Sequence, residues 1–466
     1  MLFADLPKIE KPQRANEVNL RIMRLKINIH LFLLAVGLTF SNALAAQITQ
    51  QRMEVEPQAG AGIFRPYFYE AGTDAVKSID SKYKPFYLSH FGRHGSRYYS
   101  QPKSWQQTMD CFEAAAAAGQ LTPAGDSLYA AIKSIYDAHD DMYGELAPLG
   151  AVEHRQIARR MYDREKPVFS SRTRNKVRCV SSVYSRCLMS MANFTEELSG
   201  LAPSLDVSYM AGKRYNNDYI NAPLGYDFSV EADKIIDSLK QATLHPEALL
   251  SLYFTDAAMD AVVISDPYAV EMGLYYFWAI SYCLDFLGLD ITSMIPSEEL
   301  AACAAVDNAT KYAKVAVSEE FGKYTRIKGI KLLKDFLVKA DDALKAGSDV
   351  AADLRFAHDS AFLPMCALLG IEGYPVYTIE EAHAGWNAAD VVPMCSNLQM
   401  VFYKVKGDVL VKILVNEKEA VLSSLKPVHG IFYRWVEIKS LIEGVENSDY
   451  VNYNSENKSQ NNQLYE

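Results

Sequence analysis

The sequence predicts an α/β fold in which a sheet core is interrupted by a helical insertion. Three observations lead there. Short apolar strand patterns, Lys84–His90 and Ala352–Ala357, lie far apart in the chain, and each runs straight into a histidine-bearing polar stretch. Helical patterns follow both. Between them, residues 200–345 are helical in pattern almost throughout, which separates an insertion from its core. The chain has 466 residues, 49% of them apolar, enough for two or three domains with a sizeable core. The expected organisation is a targeting segment at 1–45, a first core part at 46–200, a helical cap at 201–345, a second core part at 346–440 and a disordered tail at 441–466.

In chain order, Arg21, Arg24 and Lys26 precede a short apolar run, Ile29–Phe40, and the small-x-small site Ala43-Leu-Ala45. That is the pattern of a signal peptide cleaved after Ala45, and it predicts a periplasmic or secreted protein. Met23 offers a more ordinary start for such a peptide than Met1. Residues 46–82 are mixed and polar, and read as a segment wrapping the surface. Helices are expected at Trp105–Ala118, Pro123–Ala138 and Ala151–Arg164. The last of these places Ile157, Ala158 and Met161 on one face. Further helices fall at 229–241, 246–262, 267–288 and 309–346. Asp285 inside the apolar stretch Leu274–Leu287 marks a buried helix, with no membrane span in the mature chain. After the second strand comes an apolar helix, Phe362–Leu369. Val392–Tyr403 and Val409–Asn416 alternate as strands joined by a turn at 406–408.

The formal net charge is -10, which argues against a nucleic-acid partner. Seven cysteines lack C-x-x-C spacing, so neither a zinc site nor a redox motif is expected. Most of them have apolar neighbours and read as small buried side chains.

Chemistry concentrates in Leu88–Arg97, which holds Arg93, His94, Gly95 and Arg97 within five residues. Guanidinium forks suit phosphate oxygens, and an imidazole between them is placed to attack phosphorus. Gly95, lacking a Cβ, would let the backbone turn sharply beside a bound anion. A lone Arg-His-Gly is common, so the motif needs partners. His358-Asp359, also at a strand end, supplies one. Arg186, at the start of a helix after Ser181-Ser-Val-Tyr-Ser, supplies another. The basic run Arg172, Arg174, Lys176, Arg178 reads first as a solvated loop entering a strand, and second as a rim for a multiply charged substrate. Lys213 and Arg214 are weaker rim candidates. His90 reads as a core histidine rather than a ligand. His154 and His383 have no metal-like spacing.

This ordered set resembles the histidine acid phosphatases, the branch of the histidine phosphatase superfamily that includes bacterial phytases and multiple inositol polyphosphate phosphatases. The family's Arg-His-Gly-x-Arg signature falls on Arg93–Arg97, its later arginine on Arg186, and its His-Asp on His358 and Asp359. The closing hairpin is similar as well, and the resemblance spans roughly residues 80–440. Tyr99 stands where the family often has proline, and Ser182 and Tyr184 stand where relatives often have acidic residues. The His-Asp-Ser motif is that of acid phosphatases and bacterial phytases, not the His-Ala-Glu of inositol polyphosphate phosphatases.

The resemblance implies a phosphoglycerate-mutase-like three-layer core and a phosphoric monoester hydrolase. His94 would be the nucleophile and Asp359 the proton donor. Arg93, Arg97, Arg186 and His358 would bind phosphate. No metal or cofactor is implied. The partner is a small phosphorylated substrate, with inositol polyphosphate such as phytate favoured over the wider range of a general acid phosphatase. A mutase is disfavoured by the export signal and the large cap. A non-catalytic phosphate-binding relative is disfavoured by the intact His94 and Asp359.

Overall fold

The computed structural model describes residues 47, 49–69, 83–259, 266–405 and 407–445. The expected signal peptide and the end of the expected tail lie outside these residues. An eight-stranded sheet organises the chain. Its strands are β1 (Pro85–Arg93), β2 (Lys176–Ser181), β3 (Asp206–Ala211), β4 (Val350–Ala357), β5 (Asn397–Val405), β6 (Asp408–Val415), β7 (Lys418–Glu419) and β8 (Phe432–Arg434). The order is β3-β2-β4-β1-β5-β6-β7, with β8 on β6. β2 to β4 and β1 are parallel, whereas β5 and β6 run antiparallel. The carboxyl ends of β1, β2 and β4 therefore reach one edge together, where open α/β sheets bind ligands.

Helices cover both faces. On one side, Leu88, Leu354, Phe356 and Val401 pack against Ile157, Ala158, Met161, Phe194 and Leu198. These belong to α3 (Pro148–Arg164) and α4 (Ser185–Leu201). On the other, Tyr87, Phe91, Met400 and Phe402 pack with Phe336 and Phe362, from α8 (Gly322–Leu344) and α9 (Asp359–Leu368). Odd and even positions of each strand face opposite layers, as the period of two requires. The result is the expected three-layer core.

The cap is built differently from the expected continuous block at 201–345. Asp206–Ala211 is an edge strand of the sheet, largely exposed, and its alternation is confined to Asp206-Val-Ser-Tyr209, so its sequence carries only a short strand signal. Gly322–Leu344 is a sheet-covering helix. Conversely, α1 (Lys103–Ala117) and α2 (Pro123–Asp137), from the first core part, join the helical layer with α5 (Ser229–Thr243), α6 (Pro267–Ser281) and α7 (Ser297–Val315). Trp105 of α1 stacks on Phe277 of α6 at 4.2 Å. Gly273 lets the two helices meet, because a Cβ there would lie 2.0 Å from Thr108 Oγ1. The long helix expected at 309–346 breaks at 316–321, where Ser318 Oγ accepts the Phe321 N–H.

Two termini also depart from expectation. Ala59, Ala61, Ile63 and Phe64 are buried, so this stretch threads the core and does not wrap the surface. Residues 435–445 are helical, past the start of the expected tail. Cys179, Cys187, Cys283, Cys303, Cys366 and Cys395 are buried thiols. Among the described residues, no helix is long and apolar enough to cross a membrane.

Candidate active site

β1 ends at Arg93 and hands His94 to the sheet edge. The His94 N–H donates to Ala357 O of β4 at 2.9 Å, and the Cys395 N–H donates to His94 O at 3.0 Å. The loop is thus stitched to both neighbouring strands. Gly95 turns out to serve packing. Its φ is not positive, and a Cβ there would sit 2.7 Å from the Gly150 Cα and O at the start of α3. Glu153 of α3 completes the fixture by accepting from Ser96 N (2.8 Å), Ser96 Oγ (2.9 Å) and Tyr67 N (2.7 Å).

The sheet edge brings together Arg93, His94, Arg97, Arg186, His358 and Asp359. His94 and His358 have ring centroids 5.7 Å apart. Arg93 lies 3.7 Å from Asp359 Oδ2 and donates to Ile63 O (2.9 Å) and Val392 O (2.6 Å). Arg97 donates to Tyr98 O at 2.8 Å, with its guanidinium over Phe64. Arg186 enters from the first turn of α4. His358 is the N-cap residue of α9 and Asp359 its first helical residue. Two helix N-termini therefore aim their partial positive charge at the arginine cluster.

The electrostatics are lopsided. Three guanidiniums face one carboxylate, and the Nε atoms of Arg93, Arg97 and Arg186 are buried without a hydrogen-bond partner in the protein. Burial, assisted by neighbouring positive charge, lowers Arg97 to about 10, so it remains charged at neutral pH. Burial first, then Arg186, Arg93 and Arg97, push His94 well below the ordinary histidine value. It is a neutral imidazole. Its Nδ1 is 3.0 Å from Gly95 O, a carbonyl that can only accept, so the proton sits on Nδ1 and Nε2 keeps its lone pair. His358 is lowered to about 3 by burial and Arg186. Burial raises Asp359, but Arg93, Lys311 and His358 outweigh it and hold the carboxylate at about 2. The proton that the expected donor role of Asp359 requires is therefore not supplied by the protein's own charges.

The sequence assigns no role to several neighbours of this cluster. Ser182 Oγ lies 2.9 Å from His358 Nε2 and donates to Asn216 Oδ1 at 3.1 Å. Lys328 Nζ donates to Asn221 Oδ1 (2.9 Å) and Ser360 Oγ (3.3 Å), and Lys311 faces Asp359 from α7. Of the expected rim, Arg178 is excluded. It lies within β2, three residues short of its end, bound to Asp353 and Asp342 at 2.7 Å each. Lys213 and Arg214 follow β3 at the same sheet edge but are exposed, with Arg214 3.7 Å from Asp218. Neither joins the arginine cluster. His90 packs against Phe194 and Phe356 as a core histidine. Among the described residues, no group of three or more His, Cys, Asp or Glu is placed to hold a metal.

No family model matches the chain, and no curated protein matches it. Solved structures do. The Bifidobacterium longum multiple inositol polyphosphate phosphatase, in complex with inositol hexasulfate, superposes with a TM-score of 0.69 at 20% identity. The match covers 82% of this chain and 97% of that one. Its complex with phosphate gives the same score and identity, covering 83% and 98%. The phytase from D. castellii superposes with a TM-score of 0.62 at 13% identity, covering 83% of this chain and 85% of that one. At these identities the likeness is one of fold.

Proposed function

We propose that this chain, which has the histidine acid phosphatase fold, is a phosphoric monoester hydrolase acting through a phosphohistidine. The observation that carries the reading is the cluster of two buried arginines, Arg93 and Arg97, and the half-buried Arg186 around an imidazole whose Nε2 is free. Three cations facing one carboxylate make a site for a dianion, and the imidazole is the one strong nucleophile within it. His94 Nε2 attacks phosphorus, forming a P–N bond as the ester P–O bond breaks. The arginines hold the non-bridging oxygens as their charge rearranges, and His358, whose Nε2 already donates to Ser182, joins them through Nδ1 once the bound dianion raises its pKa and protonates it. Asp359 gives a proton to the leaving oxygen, then takes one from the water that cleaves the P–N bond.

The depressed Asp359 fits this scheme once the substrate's charge is included. A bound phosphate offsets the arginines and places a second anion beside the carboxylate, which raises its pKa. The productive complex therefore carries one extra proton, and turnover falls as pH rises past the point where that proton is lost.

Inositol polyphosphates are the favoured substrate class. Lys311 and Lys328 put positive charge beyond the catalytic arginines, and a fold neighbour binds inositol hexasulfate. The N-terminal pattern adds export by signal-peptide cleavage, which predicts a mature chain beginning at Ala46. The decisive experiment is phosphate release at acid pH from phytate and from p-nitrophenyl phosphate, for wild type and His94→Ala. Release from phytate that the substitution abolishes, by about 10⁴-fold or more, supports both parts of the reading. Release from the aryl ester alone leaves the mechanism and makes the protein a general acid phosphatase. Binding of phosphate with no release from either ester overturns the enzyme.

A further inference from the structure

We propose that Tyr184 is a positioning residue whose ring clamps Arg186 and His358 into their phosphate-binding orientation. The inference rests on the phosphate-site reading above and adds to it a residue that the chemistry itself does not use.

Arg186 is weakly tethered by hydrogen bonds. Its Nη1 donates to Gly144 O at 3.4 Å, and its Nε has no partner in the protein. A guanidinium held so loosely would swing. Its carbon instead lies 4.8 Å from the centre of the Tyr184 ring, over the negatively polarised π face. The same ring meets His358 edge-to-face, with centroids 5.0 Å apart and planes at 88°. His358 leaves β4 and Arg186 follows β2, so the clamp ties together groups from two strand ends. Ser182 grips His358 at Nε2, and Tyr184 then fixes its tilt.

Tyr184 is 47% exposed, so it lies at the surface beside the site. Replacing it therefore opens no enclosed cavity, and a leucine or phenylalanine there keeps the backbone of the helix start. Both contacts need an aromatic ring, and neither needs the hydroxyl. A leucine fills similar space without a π face. That contrast separates a clamp from simple packing.

The test is calorimetric binding of inorganic phosphate, with turnover of p-nitrophenyl phosphate measured in parallel, for Tyr184→Leu and Tyr184→Phe. Tyr184→Leu should weaken phosphate about tenfold and lower kcat by a similar factor with a smaller change in KM. Tyr184→Phe should rescue both to within about twofold. In an Arg186→Lys background, which loses the stacking plane, Tyr184→Leu should cost clearly less than in wild type. Equal behaviour of the leucine and phenylalanine variants overturns the clamp, as does an undiminished leucine effect in the Arg186→Lys background. Phosphate binding reads the clamp without turnover, so a protein that binds phosphate yet releases none would defeat the hydrolase reading and still decide this one.

Discussion

Two sets of buried and half-buried arginines lie on the same strands or just past their ends, and they are treated in opposite ways. Within the sheet, Arg355 is 1% exposed and meets Asp335 at 2.6 Å and Ser89 Oγ at 3.0 Å. Arg178 takes Asp353 with both Nε and Nη2, and Asp342 with Nη1. Arg93 is equally buried, but at the strand ends it shares a single aspartate, at 3.7 Å, with Arg97 and Arg186 close by. Burying a charge is costly unless a partner offsets it. The sheet arginines carry their partners with them. The edge arginines do not, and under the proposed function an anion from outside would offset that shortfall.

The comparison is tested most strongly at Asp359. Asp359→Asn should lower turnover of alkyl phosphates about 10²–10⁴-fold, because the leaving alkoxide then lacks its proton. p-Nitrophenyl phosphate, whose leaving group needs no proton, should lose far less. Equal losses on both esters would remove Asp359 from the acid role. Next in size is the structural set. Asp353→Ala leaves Arg178 with Asp342 alone and Tyr87, whose hydroxyl donates to Asp353 at 2.7 Å, with no acceptor, and should cost about 1–3 kcal/mol in chemical denaturation. Its phosphate affinity should stay at the wild-type value.

Arg97→Met reverses that pattern. It should abolish the stabilisation that added phosphate gives, about 2.7 kcal/mol in wild type at a hundredfold excess over Kd. Without phosphate it should melt no lower than wild type, since it removes an uncompensated charge. A large loss of stability would show Arg97 to be structural. At neutral pH the smallest effect is at His90 and His154, which burial holds at about 3. Their folded pKa values lie below the unfolded value, so their contribution is complete above about pH 6.5 and is lost as pH falls toward 3. Each should give a slope of up to about 1.4 kcal/mol per pH unit in that window. His154→Leu should flatten the measured slope by about one proton.

Legibility in the sequence followed the same division. Arg93, His94, Arg97, His358 and Asp359 were readable because each sits within a few residues of a strand pattern, and Arg186 because it opens a helix. What the helix positions add was not readable. Glu153 reaches Ser96 across 57 residues, and Lys311 and Lys328 approach Asp359 from helices whose own periodicity says nothing of the sheet edge. Gly95 was recognisable as necessary, but its reason is the helix behind it. Arg178 misled because a charge run shows that cations are present and conceals which carboxylates meet them. The strand at 206–211 escapes the pattern because only Asp206-Val-Ser-Tyr209 alternates, and its exposed edge position demands no longer run.

The stitching of His94 to Ala357 has a consequence for how the molecule comes into being. The two residues lie more than 250 positions apart, and parallel pairing of β1 with β4 must wait until all the intervening chain has been gathered in. No fragment shorter than this span contains both halves of the arginine–histidine cluster. During refolding, helical signal should therefore return before enzymatic competence, and the first phosphate released would mark the moment the centre of the sheet closes.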